Sequence, residues 1–176
     1  DVRRATAGFR PDLGRRLRLA DDDTSQEPLS FSFPFYGAAR AVAFVNSDGN
    51  LTFGEGDVAT TARSLGRVLT GGPRVAPFFA DLDPSAGGHV SYTADAARVT
   101  VTWTQVPQFD VGDSNTFEVT LRRANWKASR SSGSTPLVAL PIAFSIVRMP
   151  AISAASSGGS TDRWWSGEPG SVLSTV

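Results

Sequence analysis

"HVSYTADAARVTVTWTQV", residues 89–106, alternates apolar and polar side chains on either side of a small polar turn. Val99, Val101 and Trp103 fall on one face of the second half, and Thr100, Thr102 and Thr104 on the other. A period of two is the signature of a β-strand with one face toward a core, and the break at "ADA" predicts a hairpin. The same texture continues outward in both directions. "NTFEVTLR" (115–122) directs Phe117, Val119 and Leu121 inward, and "LSFSFPF" (29–35) does the same with Leu29, Phe31, Phe33 and Phe35. Pro34 places that strand at an edge or a bulge, because proline cannot donate to a sheet ladder. "RAVAFVN" follows a turn at Gly37, and "NSDGNLTF" reads as strand, Asp-Gly turn, strand.

Between these runs lie connections. Residues 54–73 are rich in Gly and Thr, with one helical turn expected at "TARSLGRVL". "RVAPFFADL" (74–82) is apolar almost throughout and suits a strand covered on both faces. No alternation of strands with long amphipathic helices appears. The expectation is an all-β chain, an antiparallel β-sandwich of jelly-roll-like character with little helix. Phe31, Phe33, Phe44, Phe53, Phe78, Trp103, Phe117 and Leu121 are its expected core. The chain divides into an irregular leader over 1–20, one sandwich domain over 21–160 and a tail over 161–176.

Composition narrows the chemistry. With 176 residues and 40 % apolar content, one domain with a sizeable core is expected. Seventeen basic residues balance seventeen acidic ones, so bulk charge points to neither nucleic acid nor an anionic membrane. No apolar run is long enough to span a bilayer, so no membrane insertion is expected. The absence of cysteine excludes disulfides and thiolate metal sites. His89 is the single histidine, so a Ser-His-Asp triad would have to pass through it, and a His-rich zinc site cannot be built. Its place before "VSY" suggests a surface position.

Asp81 and Asp83 flank Leu82 just before the turn "DPSAGG". On a strand both would share one face, about 7 Å apart. Paired carboxylates serve glycosidases, but those pairs come from separate elements around a sugar cleft. A calcium site would draw further ligands from Asp21, Asp22, Asp23, Asp48, Asp110 and Asp113. The structural alternative has Asp81 accepting backbone N–H groups at a strand end and Asp83 capping the turn. The last is the expectation: no catalytic residue and no cofactor, with calcium at Asp81 and Asp83 as the alternative. "NLT" (50–52) fits a glycosylation acceptor, and Trp164 with Trp165 suggests a terminal apolar clasp or a glycan stack.

Four fragments, "FSFPFYG", "VAFVNSDGNLTFG", "RVAPFFADLDPSAGGHVSY" and "VTVTWTQVPQFDVGDSNTFEVTL", together resemble the nidogen-like, or NIDO, domain, closest in wording to its bacterial secreted members. The resemblance spans about residues 21–122. Residues 122–150, with "RRANWKASRSSGSTPL", depart from the family's pattern. The resemblance implies a secreted or cell-surface, non-catalytic β-rich module for adhesion, with an extracellular protein or glycan as partner. A carbohydrate-binding module of a secreted enzyme is the alternative, and a carboxylate-based hydrolase a remote one.

Overall fold

The computed structural model describes residues 13–123 with their side chains and the backbone of strand 143–149. Among these residues nine strands and one short helix follow in order: β1 (Arg15–Leu17), β2 (Thr24–Phe35), β3 (Ala38–Asn46), β4 (Asn50–Thr52), α1 (Leu65–Thr70), β5 (Arg74–Val75), β6 (His89–Ala94), β7 (Arg98–Val106), β8 (Asn115–Arg122) and β9 (Ala143–Met149). They form two antiparallel sheets, β1-β6-β7-β8-β9 and β2-β3-β4-β5. The all-β sandwich expected from the alternation is what the chain forms.

The expected alternation is visible strand by strand. Leu29, Phe31, Phe33 and Phe35 of β2 are buried while Ser30 and Ser32 are exposed. β2 is an edge strand whose register shifts between Pro28 and Phe33, so both of its prolines lie where a ladder bond is dispensable. Phe33 stacks on Phe35 and Phe53, and Trp103 stacks on Phe117, its cross-strand neighbour, at 4.8 Å. The Trp103 indole N–H donates to the Ser47 carbonyl at 3.2 Å, which ties the centre of one sheet to the β3–β4 turn of the other. The second face of the five-stranded sheet is also buried, and it is polar. Ser91, Thr100, Thr102 and Thr120 line it, with Thr100 and Thr120 hydroxyls 2.9 Å apart.

Three turns explain the hairpins. Tyr36 and Gly37, both at positive φ, join β2 to β3 in the two-residue form that matches strand twist. Residues 47–49 join β3 to β4, with Gly49 at φ 76°. In the β6–β7 turn the Asp95 carboxylate accepts from the N–H groups of Ala97 and Arg98.

Several expectations are corrected. Phe44 is only half-buried, because Ala43 and Val45 supply the inward face of β3. Phe78 packs against the core's margin rather than inside it. "RVAPFFADL" is not one strand: β5 ends at Val75, and the proline at 77 breaks the run. The leader expected over 1–20 is not wholly irregular, since Arg15–Leu17 pairs with β6 and buries Leu17. His89 is part-buried, and burial followed by the nearby Arg16 charge pulls its pKa down. Asn50 is fully buried and accepts from the Asn46 amide, so "NLT" is no accessible glycosylation site. Within 122–150, β9 runs antiparallel to β8 from Ala143 to Met149. The readings of Trp164, Trp165 and the 161–176 tail lie outside the described residues.

Candidate functional site

One end of the sandwich gathers the segments around residues 20–23, 47–49, 78–88 and 107–114. The gathering follows from the ladder. The Asp23 and Ser47 backbones bond to each other, the Asp83 N–H donates to the Pro107 carbonyl, and the Phe109 N–H donates to the Asp81 carbonyl at 2.8 Å. Leu82 and Gln108 form an isolated bridge between the last two segments.

Arg63 stands at the centre of this end, on the connection leading to α1. Its side chain is buried, and its guanidinium grips the fully buried Asp48 with two bonds of 2.7 and 3.0 Å. It also pairs with Asp22, and with Asp81 at 3.0 Å. Burial works against the Arg63 charge, but Asp48, Asp81 and Asp22 outweigh it and raise its pKa. Burial pushes the Asp48 carboxyl up to about 6, and Arg63 offsets only part of that, because one guanidinium is shared among three carboxylates. Asp21 stands beside them. Burial, then the charges of Asp22, Asp83 and Asp81, push its pKa up, and its Oδ1 is buried with no hydrogen-bond partner.

Asp81 and Asp83, two residues apart on either side of Leu82, do different things. Asp83 is buried and caps the turn: its Oδ1 accepts from Ser85 N–H at 2.8 Å and Ala86 N–H at 3.2 Å, and from the Ser85 hydroxyl. Among the described residues Asp81 has no backbone donor on its side chain, and no strand ends there. Its side chain is 46 % exposed and turns to Arg63. One carboxylate oxygen from each of Asp21, Asp22 and Asp81 lies within 4.8 Å of the others, an arrangement able to approach a cation. Calcium takes roughly six to eight oxygens, and Arg63 already brings positive charge to two of these three. Asp23 instead accepts from Ala20 and Thr24 N–H groups. Asp113 ties Gln108 and Asn115 together, and Asp110 is exposed at the tip of the β7–β8 loop.

That loop carries what the sequence reading missed. Phe109 is 46 % exposed and Val111 62 % exposed, directly beside Asp81 in the backbone network. The loop is braced, since Asp113 accepts from both the backbone and the side chain of Gln108 at 2.6 Å. Apolar residues set among Pro, Asp and Gly in "PQFDVGD" were the available signal. Arg63 had none: a lone arginine in a Gly/Thr-rich connection shows nothing of the carboxylates that the fold brings to it.

A second recess, about 530 Å³, lies between β4, β5 and α1, lined among others by Phe53, Glu55, Asp57, Arg67 and Arg74. Asp57 accepts from Arg67 at 2.5 Å and Arg74 at 2.8 Å, and both guanidiniums lie over the Phe79 ring. Burial raises the Asp57 pKa, but the two arginines outweigh it and hold the carboxyl below its ordinary value. Their other donors meet the carbonyls of Thr61, Ala59 and Gly72, so this net holds the 54–73 connection in place.

No curated protein and no solved structure gives a significant match to the chain. The model of the family described as NIDO related matches residues 5–125, which includes β1 and extends the resemblance noted in the sequence at both ends. That family is typically extracellular, and among the described residues no helix is long and apolar enough to cross a membrane. With two antiparallel sheets and a family match over more than half of its length, the chain belongs to the NIDO-related family.

Proposed function

We propose that the domain is a secreted or cell-surface, non-catalytic module that binds or adheres to extracellular macromolecules, and that it does so through the Arg63 end. The observation that carries this reading is the β7–β8 loop, where Phe109 and Val111 stand exposed on a backbone fixed by Asp113 and Asp81. A rigid loop that presents apolar side chains loses little conformational freedom on binding, which favours its use as a contact surface. The carboxylates beneath it support a scaffold in preference to a catalytic pair. Asp48 has the raised pKa that general acids use, but it is buried and bonded to Arg63, so no substrate reaches it. A carbohydrate platform would set exposed aromatics in one plane, whereas among the described residues Tyr36 and Phe109 stand at opposite ends of the sandwich.

The test is binding of the chain to immobilised extracellular-matrix proteins and to a glycan panel, with and without Phe109→Ser/Val111→Ser. The reading expects a partner whose affinity falls at least about tenfold in the double variant while the melting temperature is kept; losing one buried apolar side chain at an interface is worth that much. Equal binding by both proteins, or turnover of a panel glycan, would overturn it.

A further inference from the structure

We infer that the domain associates head to tail with a second copy of itself, the Arg63 end of one chain meeting the opposite end of the next. The inference rests on the reading of the Arg63 end as the contact surface and adds the identity of a partner.

Among the described residues the two ends carry opposite charge. At the first, Asp22 and Asp81 pair with one buried guanidinium, Asp21 stands beside them, and Asp23 and the exposed Asp110 lie on adjoining segments, with Arg16 on the Gly88 carbonyl. At the other end, Arg40, Arg98, Arg122 and Arg123 collect around the β2–β3, β6–β7 and β8 termini. Asp95 is the carboxylate placed there among the described residues, and it already pairs with Arg98. The ladder sets Arg98, paired with Asp95, directly opposite Arg122, which with Arg123 is exposed at the end of β8.

Both ends also expose apolar surface. Phe109 and Val111 stand at the acidic end, and Tyr36, 75 % exposed, at the basic one. Each pole, as the described residues place it, finds its complement on another copy. Two different patches meeting in this way make a heterologous contact, which propagates instead of closing on itself.

Sedimentation velocity of the full chain at about 0.1 M and about 1 M NaCl tests this, because the screening length falls from about 10 Å to about 3 Å between them. Association should appear at the lower salt and weaken at least about tenfold at the higher. Asp110→Asn/Val111→Lys should abolish it from the acidic end, and Arg122→Glu/Arg123→Glu from the basic end. All four positions are exposed, and the salt series needs no substitution at all. Mixed one to one, the two double variants should form dimers and nothing larger, since each keeps one intact pole. A monomer at low salt, association indifferent to salt, or a mixture that stays monomeric would overturn the inference. Matrix binding through Phe109 and Val111 that persists in a strictly monomeric chain would do so while leaving the proposed function standing.

Discussion

Replacing Gly49 by alanine should cost far more than replacing Gly37, although both residues sit in hairpin turns at nearly the same φ, 76° and 71°. The left-handed conformation charges alanine about 1–2 kcal/mol at either site. At Gly37 nothing lies within 4 Å of the added Cβ, so that strain is the whole effect. At Gly49 the Cβ would overlap the Phe78 carbonyl oxygen and stand 2.9 Å from Phe117 Cζ. The 78–81 segment must then retreat from the turn, and the Ala80 N–H bond to the Asp48 carbonyl goes with it. Overpacking of this kind costs about 1–3 kcal/mol and a lost hydrogen bond about 0.5–1.5 kcal/mol. The expected totals are about 1–2 kcal/mol for Gly37→Ala and about 2.5–6.5 kcal/mol for Gly49→Ala, the latter comparable to the stability of a marginal domain. Urea denaturation followed by tryptophan fluorescence reads both, with an unchanged slope confirming that stability alone has moved. Equal midpoints for the two variants would refute the claim that the β3–β4 turn is packed against the site segment.

Phe33→Ala, fully buried near the C-terminal end of β2, should lose about 3–5 kcal/mol in the same assay. The pH dependence has a definite sign. Asp48 has a folded-state pKa raised to about 6, so its contribution is fully present below about 3.8 and is lost as pH rises through 6. From this group the domain should be about 1 kcal/mol more stable at pH 5 than at pH 7; Asp48→Asn should remove that difference, and thermal melts at the two pH values that show it intact would contradict the burial argument. Asp21 is raised in the same direction, so Asp21→Asn should stabilise the domain near neutrality and have no such benefit below pH 3.8, as melts across that range will read. Calcium should leave the melting temperature where chelator leaves it, because Arg63 already engages Asp22 and Asp81; a rise of several degrees that disappears in Asp81→Ala would make the cluster a metal site.

The parts of the fold legible in the sequence are those governed by local periodicity. Phe31 and Phe33, Val99 and Val101, and Phe117 and Val119 announce their strands because every second side chain must face the core. Where two faces are both apolar or both buried, periodicity loses its meaning. Phe44 looks more core-like than Ala43, yet register with β4 decides which of them turns inward. The run at 74–82 fails for a related reason: its apolar residues fill the space beside the β3–β4 turn without ladder partners between Val75 and the single bridge at Leu82. The cap at Asp83 was legible because Asx chemistry is local. The tie from Asp81 to Arg63 spans eighteen residues, and the tie from Asp22 to Arg63 spans forty-one. Contacts of that reach are set by topology, and no short motif records them.

If the braced loop beside Arg63 is the surface through which this domain meets its partners, a partner must cover it. Hydrogen–deuterium exchange of the chain, free and bound to a matrix component that it retains, reads that cover. Added protection is expected over residues 79–83 and 107–113, with the recess around Asp57 and Arg74 exchanging as in the free protein. Protection confined to residues 54–74, with the β7–β8 loop unaffected, would contradict it.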